Sequence, residues 1–241
     1  MEASDLEPFE ADFWWMSPPC QPYTVRGHQK DLEDHRAASL VNLLGLLGEL
    51  LPEHLAMENV QGFYESQARQ KLLETLETHG YEVRERLLCP TELGVPAKRE
   101  RYYLTASRSG LLPMGAPLRT ERTKVSDYLL DDPDESLFIS QKILDKHGPG
   151  MRIVDVDDDE AITNCYTSAY GKTWRYSGSY FRYPDGRVRF ADPNELLALL
   201  HFPLPFSFPE EVSRKRRYKY IGNSLSVIAM REILRAFEAF A

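Results

Sequence analysis

Cys20 lies in Ser17-Pro18-Pro19-Cys20-Gln21-Pro22-Tyr23, directly after the apolar run Ala11-Asp12-Phe13-Trp14-Trp15-Met16. A thiolate is the most nucleophilic side chain at neutral pH, and Pro18, Pro19 and Pro22 stiffen the loop that carries this one. Stiffness matters because attack on carbon needs the sulfur held in line with its target. The competing reading is a small apolar residue packed at a strand end. Two further sets of groups give the cysteine a chemical context. Glu58, in Glu58-Asn59-Val60, is a carboxyl following the apolar piece His54-Leu55-Ala56-Met57. Arg99 and Arg101, in Gly94-Val95-Pro96-Ala97-Lys98-Arg99-Glu100-Arg101, enter a strand two residues apart and can point to one side together. On a pyrimidine ring these groups would have a defined use. Sulfur would add at carbon six and make carbon five a nucleophile able to take a methyl group. A carboxylic acid at nitrogen three and a guanidinium at oxygen two would stabilise the charge that builds there.

The elements that must hold these groups follow from pattern. Two prolines stop the first strand at a fixed point, because proline cannot continue a ladder. Val25 to Asp34, with Gly27, His28, Lys30 and Asp31, reads as a mobile surface loop able to close over a substrate. Leu40, Leu43, Leu44, Leu47 and Leu51 recur at helical steps from Arg36 to Pro52, and a second parallel strand carries Glu58 towards its end. Ser66 caps a helix that stops at Gly80; strands are expected at 81–88 and 101–106. This alternation predicts an α/β layer with a largely parallel sheet, whose ligands lie beyond the carboxyl ends of the strands. The pattern weakens over 111–150, which separates a first region, 1–110, from a second, 151–208. Tyr183-Pro184-Asp185-Gly186-Arg187 there reads as a hairpin turn and Asp192-Pro193-Asn194-Glu195 as a capped helix start. In 209–241 an amphipathic helix from Val227 to Phe240 is expected to return to the first region.

Charge and cysteine content narrow the classes. A formal net charge of −8 argues against binding nucleic acid through overall charge, yet Arg214, Lys215, Arg216, Arg217 and Lys219 make a local basic strip, which is all that phosphate binding requires. A solvated helix face is the plainer alternative for that strip. Cys20, Cys89 and Cys165 show no CxxC spacing, so neither a disulfide framework nor a metal site is expected, and a reducing, cytoplasmic setting fits. No signal peptide or membrane span is read.

Pro18-Pro19-Cys20-Gln21, Glu58-Asn59-Val60, Arg99-x-Arg101 and Gly222-Asn223-Ser224 occur in the order and spacing of the cytosine C5 methyltransferases, and the sequence resembles that family from about Phe9 to Phe237. The resemblance is greatest to the tRNA-aspartate branch. It rests there on Cys165-Tyr166-Thr167 with Tyr170-Gly171, where tyrosine replaces that branch's phenylalanine, and on Gln21-Pro22-Tyr23-Thr24 and Leu93-Gly94-Val95-Pro96. It implies a Rossmann-like class I methyltransferase sheet with a small β-rich target-recognition region over 151–208. The acidic 111–150 would be a linker or insertion and 209–241 a helix returning to the catalytic core. It also implies Cys20 as nucleophile through a covalent bond to carbon six, Glu58 at nitrogen three, Arg101 at oxygen two with Arg99 supporting it, and S-adenosyl-L-methionine as donor beside Pro19, Asn223 and Ser224. Gln21, Asn59, Cys165, Tyr166, Thr167, Tyr170, Arg214, Lys215, Arg216 and Arg217 would face a nucleic acid, tRNA in preference to DNA. Ala97 stands where the family usually has glutamine. A packing role for Cys165 remains the alternative.

The family's Phe-x-Gly-x-Gly turn and following ribose-binding acid have no match in these residues. The expectation is therefore a catalytic core lacking its N-terminal cofactor segment and first strands, with Trp14 and Trp15 on an exposed sheet edge, and a separate polypeptide as a candidate source of that half. Beside the tRNA methyltransferase stand a DNA cytosine C5 methyltransferase, a catalytically silent nucleic-acid-binding remnant, and a cysteine hydrolase pairing Cys20 with His28 or His35.

Overall fold

The computed structural model describes residues 2–23, 31–118 and 121–240. Gly27, His28 and Lys30 of the expected mobile loop, with Thr24 of the Gln-Pro-Tyr-Thr match, lie outside the described residues. The chain folds as two units. One comprises Met1–Leu88, Glu100–Ala116 and Arg231–Ala241; the other comprises Cys89–Arg99 and Pro117–Met230. Among the described residues no helix is long and apolar enough to cross a membrane.

The first unit contains α1 (Ala3–Leu6), β1 (Phe13–Met16), α2 (Ala38–Leu50), β2 (His54–Val60), α3 (Gln67–Thr78), β3 (Glu82–Leu88) and β4 (Arg101–Ser107). Its sheet runs β1-β2-β4-β3. β1 and β2 are parallel, with Phe13 opposite His54, as the sequence suggests. β4 is antiparallel to both β2 and β3, so the sheet is mixed rather than largely parallel. The reason lies in the β3 to β4 connection, which holds only a short 3-10 turn, Pro90–Leu93. Without a crossover helix the chain must come back antiparallel.

Side-chain alternation sorts the sheet's two faces. Leu55 and Met57 on β2 and Tyr102, Leu104 and Ala106 on β4 pack with Leu40, Leu44 and Leu47 of α2 and Leu72 and Leu76 of α3. Each fully buried leucine of this core is worth about 1.5–3 kcal/mol. Ser66 caps α3, accepting from the Arg69 backbone N–H at 3.0 Å. α2 ends where Leu51 turns left-handed at φ 46°, just before Pro52. Glu58 and Arg101 have the opposite parity and lie on the face turned away from these helices. That face also receives the chain's C-terminal segment: Arg86 reaches Glu232 at 3.4 Å. The helix expected over Val227–Phe240 stops at Leu234, and a 3-10 turn at Glu238–Phe240 follows. Phe237 packs edge-on against Phe13, centroids 5.2 Å apart. Among the described strands β1 is an edge, and its Trp14 and Trp15 are half-buried beside a groove of about 440 Å³.

The second unit contains α4 (Gln141–His147), β5 (Arg152–Asp155), β6 (Ser179–Arg182), β7 (Val188–Arg189), α5 (Pro193–Leu199), α6 (Arg214–Asn223) and the start of α7 (Val227–Leu234). β5 pairs parallel with β6, and β6 antiparallel with β7. The hairpin turn forms as its Asp-Gly pair suggests, with Gly186 at φ 85° and the Tyr183 N–H donating to the Arg187 carbonyl at 2.9 Å. Asp192 caps α5 by accepting from the Asn194 N–H at 2.8 Å. Beneath these elements Arg189 and Glu195 form a bidentate pair at 2.7 and 2.8 Å, both side chains fully buried.

Candidate active site

The Cys20 loop is anchored at both ends. Met16, which closes β1, is buried, and the prolines then end the ladder. The Asn59 side-chain amide, 1% exposed at the end of β2, donates to the Pro18 carbonyl at 3.4 Å. On the far side the Tyr23 N–H donates to the Cys20 carbonyl at 3.0 Å. The Tyr23 ring is buried edge-on against Phe63 at 4.9 Å, and its hydroxyl is pushed up to about 12 by burial, with the charges of Asp31 and Asp34 adding. Gly62 lets the turn after β2 approach this point, since a Cβ there would collide with the Tyr23 carbonyl oxygen. Between the anchors Cys20 is exposed, which removes the reading of it as a packed residue.

Glu58 and Arg101 sit on neighbouring strands, with Glu58 opposite Tyr103 and Arg101 opposite Val60. They are diagonal neighbours on one face, within reach of long side chains. The Arg101 Nε is 3.2 Å from a Glu58 carboxylate oxygen, with the side chains 16% and 14% exposed. A carboxyl and a guanidinium are thus held side by side at strand ends, one residue along β2 from the amide that binds the Cys20 loop. His35, the described histidine of the hydrolase reading, is exposed and lies 3.5 Å from Asp34.

Arg99 does not join Arg101. It precedes β4 and belongs to the second unit, where its guanidinium donates to the Tyr166 carbonyl at 3.3 Å, the Gly222 carbonyl at 3.4 Å and the Ser224 carbonyl, with Cys165 Sγ at 3.5 Å. The two-residue spacing does not give a shared face because the strand begins only at Arg101. Arg99 instead ties the Cys165-Tyr166-Thr167 loop to the end of α6. Gly222 belongs to the same joint, since a Cβ there would land on the backbone of Thr167 and Ser168.

Tyr166 and Tyr170 are interior residues. Tyr170 packs against Tyr166 at 5.0 Å and Tyr218 at 4.9 Å, donates its hydroxyl proton to the Ser179 carbonyl at 2.7 Å and accepts from the Ala191 N–H at 2.9 Å. Burial raises both tyrosine hydroxyls well above their usual range. These rings pack the unit, and their faces are not open to a nucleic acid. Thr167 closes the loop through its backbone, its N–H donating to the Ser177 carbonyl at 2.9 Å. The basic strip also divides. Arg214 donates to the Ser136 hydroxyl at 2.8 Å, and Arg217 to the Val212 carbonyl at 2.7 Å and the Pro209 carbonyl at 3.1 Å. Lys215 and Arg216 are exposed. Pro19 is exposed on the Cys20 loop; Asn223 is exposed and Ser224 half-buried at the C-terminal end of α6.

Residues 1–175 match the family model of C-5 cytosine-specific DNA methylases. The chain belongs to that family. It is 29% identical over 255 residues to a tRNA (cytosine(38)-C(5))-methyltransferase of Schizosaccharomyces pombe, covering 94% of this chain and 77% of that protein. It is likewise 29% identical over 296 residues to a DNA (cytosine-5)-methyltransferase of Dictyostelium discoideum, covering 96% and 78%. Among solved structures, that of the Entamoeba histolytica methyltransferase EhMeth superposes with a TM-score of 0.87 at 29% identity, covering 97% of this chain and 80% of that one.

In this C-5 cytosine methylase the structure adds Arg36, a residue outside the motifs that carry the resemblance. Its guanidinium is clamped by Asp34, from Nε at 2.8 Å and from Nη2 at 2.5 Å, and its Nη1 donates to the Gln21 side-chain oxygen beside Cys20. Hydrogen bonds from the Arg36 side chain and backbone hold the Asp34 carboxyl well below the usual carboxylate range. Those to Asp34 raise the guanidinium in turn, and the charge of Asp34 adds to it. The available signal was the Asp34-x-Arg36 spacing just ahead of a helix, where an aspartate caps by accepting from the N–H two residues on.

Proposed function

We propose that this chain methylates carbon five of a cytosine in tRNA, with Cys20 as the nucleophile. The observation that carries the reading is the Glu58–Arg101 pair, one residue along β2 from the amide that anchors the Cys20 loop. Nitrogen three and oxygen two are neighbours on the ring, so the groups that bind them must also be neighbours, as these two are. Carbon six lies across the ring from nitrogen three. The sulfur therefore needs to stand a ring's width from the carboxyl rather than touch it. Cys20 bonds to carbon six while Glu58 donates at nitrogen three and Arg101 at oxygen two. Carbon five then carries the electron pair that takes the methyl group, and loss of its proton lets the sulfur leave. Gln21, held by Arg36, and Asn59 keep the loop in register with the ring.

S-adenosyl-L-methionine, the donor that the resemblance implies, supplies an electrophilic methyl group. The groups at the close of α6 suit its amino-acid end, Asn223 presenting an exposed amide and Ser224 a hydroxyl. tRNA is preferred to DNA on the strength of the names of similar proteins and the Cys165-Tyr166-Thr167 match. Incubating the chain with labelled donor and, side by side, purified tRNA and duplex DNA tests the reading. Label in tRNA that disappears with Cys20→Ala, while RNA binding persists, is expected. Turnover retained by Cys20→Ala would sink the mechanism, and label confined to DNA would sink the substrate.

A further inference from the structure

The second unit exposes apolar side chains that its own core does not cover. Leu204 is 94% exposed, Phe206 46% and Tyr220 50%, an unusual density for one surface. They are not scattered. Phe202 and Phe206 have centroids 5.0 Å apart, Phe206 and Phe208 5.8 Å, and Phe208 stacks with Tyr220 at 6.5 Å and an interplanar angle of 27°. The four rings form a continuous ladder from the segment after α5 to the exposed side of α6.

Cations are interleaved with that ladder. The Arg217 guanidinium lies 5.8 Å from the centre of the Phe208 ring. Arg216 is four residues from Tyr220 on the same helix and so shares its face, and Lys215 and Lys219 are exposed nearby. Residues 209–220 hold five cations and two carboxylates, Glu210 and Glu211, in a chain whose net charge is −8. At its other end the ladder borders a cavity of about 730 Å³, lined among others by Tyr128, Asn194, Leu197, His201 and Phe206. Its polar edge is ordered, the Tyr128 hydroxyl being 2.8 Å from the Thr123 hydroxyl and 3.2 Å from His201 Nε2.

We propose that the Phe202–Phe206–Phe208–Tyr220 ladder is a stacking platform for unpaired RNA nucleotides. Their phosphates would run along Lys215, Arg216 and Lys219, and one base would enter the cavity against Tyr128 and His201. Stacking suits any base, because every base has a π-face, and cations along such a ladder suit a backbone of phosphates. A purely apolar protein partner would have no use for the interleaved cations. The platform rests on the reading of RNA as substrate.

Binding of a short unstructured RNA oligonucleotide, followed by fluorescence anisotropy on the full chain without donor, tests it. Phe206→Ala and Tyr220→Ala are each expected to weaken binding by about fivefold or more. The salt slope and circular dichroism should not change, binding of duplex RNA should be unaffected, and Phe206→Trp should retain affinity. Both positions are exposed, so neither change threatens folding. Unchanged affinity for the single strand would overturn the platform, as would an equal loss on duplex. A loss of self-association in sedimentation with RNA affinity intact would assign the ladder to a protein contact instead. Methyl transfer is read separately. An inactive chain that still binds RNA through these rings would overturn the catalytic reading alone, and an active chain indifferent to them would overturn the platform alone.

Discussion

At the scale of residues, the site depends on planar groups that each serve two partners. Arg36 engages Asp34 through Nε and Nη2 and Gln21 through Nη1, a division that one rigid guanidinium permits and a lysine ammonium does not. Arg36→Lys keeps the charge but loses the fork. A hydrogen bond to a charged group is worth about 1.5–3 kcal/mol, so kcat for methyl transfer is expected to fall by at least about tenfold with a smaller change in KM. A variant as active as the parent in steady-state kinetics would leave Arg36 no part in holding the Cys20 loop. The types of Cys20, Glu58 and Arg101 and their places at strand ends were readable from the chain. Arg99 was not, because its partners lie 66 to 125 residues away and a spacing of two says nothing about where a strand starts.

At the scale of elements, the second unit is fastened by a buried ion pair. Glu195 accepts from both terminal nitrogens of Arg189 and from the backbone N–H groups of Leu130 and Asp192, so one carboxylate joins β7, the start of α5 and the segment before α4. Taking away one partner leaves the other charge buried and uncompensated, which costs about 3–5 kcal/mol. Glu195→Ala is therefore expected to lower the urea midpoint of this unit sharply, and a shift no larger than that of an exposed glutamate variant would refute the fastening. Local signals served well for such elements. The Ser66 cap, the Asp185-Gly186 turn and the Asp192-Pro193 helix start each involve residues within a few positions of one another. The direction of β4 escaped, since strand alternation does not encode which neighbour a strand will choose.

At the scale of the whole molecule, a net charge of −8 means that binding of a nucleic acid would rest on local basic strips, of which the exposed face of α6 is one. Lys215 and Arg216 are exposed on α6, whereas Arg217 holds the carbonyls of Val212 and Pro209. Lys215→Ala and Arg216→Ala are expected to reduce the slope of log K against log salt by about 0.7–0.9 for each phosphate that is no longer neutralised. Arg217→Ala should act mainly on thermal stability. Equal slope changes for all three, measured by tRNA binding between low and moderate salt, would show that this division of the strip does not govern binding.

The amino-acid sequence by itself determined the stiff cysteine loop, the carboxyl and guanidinium at strand ends, the helices α2, α3 and α5 with the Ser66 and Asp192 caps, and the family to which the chain belongs. All of these depend on residue types and on neighbours close in the chain. Only the tertiary structure decided which polar groups meet. It paired Glu58 with Arg101 and drew Arg99 away to the Cys165 loop. It also buried Tyr166 and Tyr170, left Cys20 open, and lined up four aromatic rings beside a basic helix. Those outcomes turn on where the chain crosses itself, and hydrogen-bond and packing partners far apart in sequence leave no local mark.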